Sequence, residues 1–233
     1  MNINLKVTYM SKHSYSLHLG NCIEVLKNAP ASSVDLVLTD PPYVCRFKDR
    51  AGRTVANDNG SGWIAPAFRE IARVMKPDTL CVSFYGWSHV EKFMLAWKAA
   101  GLVPVGHIVW EKGYDSKRGF LGARHEQAFL LAKGHPPKPQ APLADVQRWK
   151  YSGNPQHPTQ KAVEILTPLI GAFSKPGAVV LDPFMGSGST GVAAAWTQRR
   201  FIGIELEQQH YDTASHRVGA AYPGNRHLNQ VAA

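Results

Sequence analysis

Val179-Val180-Leu181-Asp182-Pro183-Phe184-Met185-Gly186-Ser187-Gly188-Ser189-Thr190-Gly191 runs from a short apolar strand, through a tight glycine turn, into an Ala-rich helix, Val192 to Trp196. Gly186, Gly188 and Gly191 fit the GxGxxG spacing, in the strand, turn and helix setting that gives the spacing meaning. Glycines there let the backbone turn sharply and approach a ligand. The hydroxyls of Ser187, Ser189 and Thr190 are placed to satisfy the free N–H groups of the helix start, and the positive end of that helix suits a carboxylate or phosphate. Beyond it, Phe201-Ile202-Gly203-Ile204-Glu205 reads as a second strand closing on an acid. A carboxylate in that place can accept both hydroxyls of a ribose. The order of strand, loop, helix, strand and acid predicts an adenosine-bearing ligand on an α/β sheet. By itself it does not separate a nicotinamide cofactor from S-adenosylmethionine.

Outward from this loop the alternation continues. Val34 to Thr39, Leu80 to Tyr85, Pro104 to Trp110, Gln127 to Ala132, Ala178 to Leu181 and Arg200 to Ile204 are short apolar runs bounded by Gly, Pro, Asp or Lys, as buried strands are. Helical patterns lie between most of them. One covers Trp63 to Met75 and stops at Lys76-Pro77; another covers Ser88 to Ala100 and stops at Gly101. Ala162, Ile165, Leu166, Leu169, Ile170 and Phe173 share a third helical face, with Thr159 as its N-cap and Pro168 as a bend. Such alternation predicts a doubly wound, mostly parallel sheet covered on both faces. The 233 residues suit a single domain, 1–233, with an ample core. Two stretches interrupt the pattern: Val44 to Gly62, with Arg46, Lys48, Arg50 and Arg53, and the proline-rich Gly134 to Pro155. Long loops of this kind in a compact domain usually serve function.

The formal net charge of +9 favours a polyanionic partner. Hydrophobic residues make up 44% and charged residues 18%, the balance of a globular enzyme rather than a disordered tail. No apolar run reaches the length of a membrane span and no signal-peptide core opens the chain, so no membrane partner and a cytoplasmic location are expected. Cys22, Cys45 and Cys81 are odd in number and lack a CxxC, which predicts free thiols and no zinc site. His125-Glu126 is not followed by the second histidine of HExxH, and the ten histidines show no ligand spacing, so no metal is expected.

A second motif narrows the chemistry. Asp40-Pro41-Pro42-Tyr43 follows directly on the run Val34 to Thr39, at the carboxyl end of a strand, where open α/β sheets carry their chemistry. Two prolines fix the backbone and supply no N–H, so the Pro41 carbonyl is a rigid acceptor beside the Asp40 carboxylate. An exocyclic base amine is a poor nucleophile because its lone pair is delocalised into the ring. Two acceptors gripping its N–H groups favour a pyramidal nitrogen able to attack a sulfonium methyl, while Tyr43 offers a plane for a base pulled out of its helix. Catalysis is then positioning plus electrostatics.

Together, Asp40-Pro41-Pro42-Tyr43 and Asp182-Pro183-Phe184-Met185-Gly186-Ser187-Gly188 resemble the N6-adenine and N4-cytosine DNA methyltransferases. The catalytic motif comes early and the cofactor loop late, as in the β-group of that family. Leu17-His18-Leu19-Gly20-Asn21-Cys22, Ile108-Val109-Trp110-Glu111-Lys112, Arg124-His125-Glu126 and His157-Pro158-Thr159-Gln160-Lys161 are similar to further family segments, so the likeness covers most of the chain. It implies a Rossmann-like, S-adenosylmethionine-dependent methyltransferase fold with permuted motif order. It implies Asp40, Pro41, Pro42 and Tyr43 as the catalytic group. For the cofactor it implies Asn21, Cys22, Asp40, Thr159, Gln160, Lys161, Asp182, Pro183, Phe184, Gly186, Ser187, Gly188, Ser189, Thr190 and Glu205, with Glu205 on the ribose. The family usually carries Asp where this chain has Asn21; an amide oxygen still accepts from an adenine amine, without charge. The leading Asp follows the adenine members, since Ser more often leads in the cytosine members of this group.

The resemblance also implies double-stranded DNA as partner and a homodimer. Residues 44–62 become a DNA-contact loop and residues 112–156 a target-recognition region, with Arg46, Lys48, Arg50, Arg53, Lys117, Arg118 and Arg124 as expected contacts, mostly to phosphates. The rival readings are N4-cytosine transfer, an RNA or protein amide methyltransferase, a DNA-binding protein without catalysis, and a nicotinamide-dependent oxidoreductase. The last would leave Asp40-Pro41-Pro42-Tyr43 without a role.

Overall fold

The structure, a computed structural model, describes residues 14–45, 56–115, 120–149 and 161–222. Among these residues eight strands form one sheet: β1 (Tyr15–Leu19), β2 (Val34–Thr39), β3 (Met75–Phe84), β4 (Val103–Glu111), β5 (His125–Lys133), β6 (Val146–Arg148), β7 (Val179–Asp182) and β8 (Arg200–Glu205). Their spatial order is β1-β8-β7-β2-β3-β5-β4-β6. The first five in that order are mutually parallel, β5 runs antiparallel to both β3 and β4, and the short β6 pairs parallel with β4. The expected mostly parallel sheet is present, with a reversed strand that periodicity could not distinguish from its neighbours.

Six α-helices among the described residues cover the two faces. On one, α1 (Cys22–Lys27), α2 (Ile64–Val74) and α3 (Val90–Ala99) bury Val25, Leu26, Phe68, Ile71, Phe93 and Trp97. On the other, α4 (Val163–Phe173), α5 (Ser189–Trp196) and α6 (Gln208–Ala221) bury Ile165, Leu169, Ala193, Ala214 and Val218. Ile64, Ala67, Phe68, Ile71 and Val74 line the buried side of α2, the helical spacing that selects this element. Each large apolar side chain of this kind contributes about 1.5–3 kcal/mol on full burial. The central β2 lies under helices on both sides and reads accordingly as an apolar run save for Asp35 and the closing Thr39. That carboxylate is paired: it takes Lys76 Nζ at 2.6 Å and the Val179 backbone N–H at 2.8 Å, tying β2 to the starts of β3 and β7.

Three boundaries differ from the sequence expectation, the first being the start of α4, whose N-cap is Ala162 and not Thr159. The strand expected from Leu80 begins at Met75: α2 stops at Val74, close to its expected end, and the chain passes directly into β3. Pro77 disfavours helical geometry at Lys76, and an extended backbone is what remains. Within the proline-rich stretch, residues 146–148 add a strand to the sheet edge, because β4 leaves that edge open.

The junction that positions the site lies between β2 and β7. The chain leaves β2 toward α2 on one face and leaves β7 toward α5 on the other, while Leu36 lies against Val180 and Val37 against Leu181. This is the switch point at which open α/β sheets form a crevice above their carboxyl ends. Among the described residues no helix is long and apolar enough to cross a membrane.

Candidate active site

Asp40 follows the last residue of β2 and Asp182 is the last residue of β7, so adjacent parallel strands bring the two motifs to one hollow. Its walls include Asp40, Pro41, Pro42 and Tyr43 on one side, Asp182 to Ser187, Ser189 and Thr190 on another, and Gly20, Asn21, Cys22, Glu205 and His210 at a third. Lys161 closes it from the segment before α4.

On the glycine loop, Asp182 is 3% exposed and accepts from the Phe184 backbone N–H at 3.1 Å and the Thr190 hydroxyl at 2.7 Å. Burial pushes its carboxyl up to about 7 despite these bonds. The hydroxyls do not cap α5 as expected. Gly188 is the N-cap with no side-chain bond; Ser187 and Ser189 instead accept from Arg217 of α6, at 2.9 and 3.3 Å, and Thr190 faces Asp182. Gly188 is not in the lining, unlike its neighbours. It sits at φ 82, and a Cβ there would lie 2.9 Å from Val218 Cγ2 and 3.1 Å from Ala214 Cα, so glycine is required for α5 to meet α6.

At the adenosine end expected from the sequence, Glu205 ends β8 and accepts from the Gly186 N–H at 2.9 Å and the Glu207 N–H at 2.8 Å. With Leu206 as a further backbone donor, the carboxylate still has acceptor capacity for another group. Asn21 caps α1, its amide oxygen accepting from the Ile23 N–H at 2.9 Å. The Cys22 thiol, pushed up to about 12 chiefly by burial, is a wall and not a nucleophile.

At the Asp40 motif the carboxylate is doubly held. Lys161 Nζ lies 2.7 Å from Oδ2, and the Tyr43 hydroxyl donates to Oδ1 at 2.8 Å. Lys161 also donates to the Tyr43 hydroxyl at 3.2 Å and rests over its ring, 5.4 Å from the centroid. Burial would pull the Lys161 ammonium down, but Asp40 and Glu126 outweigh it and the net direction is up, which keeps the lysine charged. The motif is followed by Val44 at φ 61, a costly backbone for a β-branched residue, of order 1–3 kcal/mol, which its buried side chain helps offset.

Sequence reasoning did not single out several of these residues. Arg217 was invisible because its partners Ser187 and Ser189 lie 30 and 28 positions upstream. Asp58, 3% exposed, receives the Cys45 N–H at 3.1 Å, and Trp63 packs edge-on to Phe184 with centroids 5.2 Å apart; both line the hollow. Gly86, just past β3, is pressed on Tyr43: a Cβ there would lie 2.9 Å from the Tyr43 carbonyl oxygen.

Arg46, Lys48, Arg50, Arg53, Lys117, Arg118, Thr159 and Gln160 lie outside the described residues. Arg124 is exposed, its Nε 3.7 Å from Asp115 Oδ1, beside a shallow groove with His107, Glu111 and His125. Among the described residues no His, Cys, Asp and Glu group is arranged to hold a metal ion.

The sequence profile of the N6/N4 family, described as DNA methylase, matches residues 34–216, which take in both motifs. The candidate methylase YubD of Escherichia coli (strain K12) is 54% identical over 201 residues, 86% of this chain and 88% of that protein. The type II methyltransferase M.HpaI of Haemophilus parainfluenzae is 28% identical over 236 residues, 88% of this chain and 74% of that protein. A solved structure of TTHA0409 from Thermus thermophilus, complexed with S-adenosyl-L-methionine, is similar in fold, with a TM-score of 0.71 and 23% identity over 91% of this chain and 96% of that one. With the profile spanning both halves of the hollow, this chain belongs to the N6-adenine/N4-cytosine family of DNA methyltransferases.

Proposed function

We propose that the protein transfers a methyl group from S-adenosylmethionine to N6 of an adenine drawn out of duplex DNA. The observation that carries this reading is the meeting of Asp40-Pro41-Pro42-Tyr43 with residues 182–187, Ser189 and Thr190 in one hollow. The residues suit the cofactor. Glu205 has acceptor capacity left for ribose hydroxyls, Phe184 and Trp63 give an apolar wall, and the buried carboxylates of Asp40 and Asp182 favour a cationic ligand. When bound, the cofactor supplies an electrophilic methyl on a positively charged sulfur. Asp40 and the Pro41 carbonyl accept the two amine hydrogens and turn the nitrogen lone pair toward that methyl. The Asp40 carboxylate, already bonded to the amine, would be the group placed to take the proton that the nitrogen loses on methylation. Tyr43, braced by Lys161, offers its ring to the extruded base. The leading Asp of the motif is what supports adenine over cytosine.

Incubation with methyl-labelled cofactor and separate pools of duplex DNA, RNA and protein tests the reading. Label should enter DNA and, after digestion, run as N6-methyladenine. N4-methylcytosine would move the target base, and label confined to RNA or protein would remove DNA as substrate. We extend the proposal to the basic loops: Arg46, Lys48, Arg50, Arg53, Lys117, Arg118 and Arg124 contact phosphates. DNA affinity should then fall steeply with salt, and Arg46→Ala with Lys48→Ala should flatten the log–log salt slope by about 2. Titrations giving the same slope for parent and variant would remove those two contacts. Two copies acting as a homodimer belong to the same proposal.

A further inference from the structure

We infer that Glu126 and Lys112 are positioning residues for methyl transfer, holding Lys161 against Asp40 and so setting where the amine-gripping carboxylate stands. The inference rests on the reading of Asp40 as the acceptor.

The antiparallel strand makes the arrangement. Because β5 runs opposite to β3 and β4, its first residues lie at the same end of the sheet as the carboxyl ends of β2 and β4. Glu126, second in β5, therefore faces Lys112, which follows β4, and both reach the Asp40 side. Four charges of alternating sign result. Lys112 bonds Glu126 Oε1; Glu126 Oε2 lies 3.7 Å from Lys161 Nζ; Lys161 Nζ lies 2.7 Å from Asp40 Oδ2. The lysine side chains are only 6% and 8% exposed, so the pairing has little water to screen it. Aromatic rings form its floor: Phe84 lies 4.9 Å under Lys161 and stacks on Trp110, and Trp149 lies 5.8 Å from Lys112.

Neither Glu126 nor Lys112 lines the hollow among the described residues, and both meet Asp40 by way of Lys161. Their action passes through Lys161. A lysine bound to Asp40 alone would draw the carboxylate fully onto itself and weaken it as an acceptor. Glu126 takes part of that charge, and Lys112 in turn limits how far Glu126 pulls. The charged and titratable groups facing Asp40 are Tyr43 on its own loop, Lys161 before α4, Glu126 on β5 and Asp182 on β7. Burial holds the Asp40 carboxyl up against the pull of Lys161, with Glu126 adding to the rise. For Glu126 burial acts upward as well, but Lys161 and Lys112 prevail and lower it.

The two partners therefore move Asp40 in opposite directions. Removing the charge of Glu126 lets Asp40 ionise more easily, and removing that of Lys112 makes it ionise less easily. Glu126→Gln and Lys112→Met, assayed with duplex DNA across pH, test this. Both should lower kcat, by up to about 100-fold, with KM for DNA and cofactor within about threefold. The acid limb of kcat should shift to lower pH in Glu126→Gln and to higher pH in Lys112→Met, which a merely structural role would not produce. Unchanged kcat and limb in both variants, or limbs shifted the same way, would overturn the inference. Should Glu126→Gln not fold, the limb of Lys112→Met decides by the same criterion. An Asp40→Ala variant run alongside separates the two claims: full transfer by that variant defeats the reading of Asp40 itself.

Discussion

Asp40→Ala should abolish methyl transfer while the protein still binds S-adenosylmethionine. The carboxylate is one of two acceptors available to the target amine, and in a half-buried hollow its loss is not made good by water. Removing one such preorganised partner typically costs about 10²–10³ in rate. Here the effect is larger if the Pro41 carbonyl alone cannot turn the amine. Cofactor binding should weaken yet survive, because Glu205, the glycine loop and the Phe184 wall stand on β7 and β8 and remain when the Asp40 charge is gone. The alanine leaves Lys161 with the Tyr43 hydroxyl at 3.2 Å and the longer Glu126 contact at 3.7 Å, so some stability is lost. Asp40→Asn keeps an acceptor of the same shape and should fold closer to the parent, yet remain slow for want of charge. Single-turnover transfer and equilibrium cofactor titration check both halves. If binding and transfer vanish together, residue 40 is a structural support and not the acceptor.

Asp182→Asn should stabilise the cofactor-free protein at alkaline pH. In the unfolded chain an aspartate loses its proton near 3.8, whereas burial holds the folded Asp182 carboxyl up to about 7. Between those values the native state binds the extra proton, so unfolding free energy falls as pH rises through that window and stays low above it. A rise of this size corresponds to about 4 kcal/mol as a ceiling. Asparagine cannot ionise, and it keeps an oxygen for the Phe184 N–H while its amide can donate to Thr190. Melting curves should show the variant above the parent at pH 8, by about 2–4 °C for each kcal/mol recovered, with the gap closing toward pH 4. A parallel pH dependence in both proteins would mean that Asp182 ionises normally. The carboxylate that is costly to ionise in the cofactor-free protein is also the one that favours a cationic cofactor, so the same variant should bind S-adenosylmethionine less well than its uncharged thioether product, relative to the parent.

What could be read from the chain follows from how local each signal is. The β7 strand, its glycine turn and the Glu205 strand are encoded within some thirty residues, and the structure has them in place. The same holds for β2 and its two prolines, whose backbone is fixed by ring chemistry. The hydroxyl reading failed for a definite reason: Ser187 and Ser189 have a stronger donor in Arg217 on α6, which a local rule does not see. Lys112 and Glu126 lay in segments noted for family likeness, but their pairing depends on the reversed β5, and strand direction leaves no mark in hydrophobic periodicity. Helices α1 and α6 escaped notice because one is only six residues long and the other buries just Ala214 and Val218 on a mostly polar surface.

A crystal structure with duplex DNA and an unreactive sulfonium analogue tests the central claim most directly. It should show an adenine outside the duplex, its N6 within hydrogen-bond reach of Asp40 and the Pro41 carbonyl, and about 3–3.5 Å from the position of the methyl carbon. A base that stays stacked, or an amine held by other residues while Asp40 faces only Lys161, would contradict it.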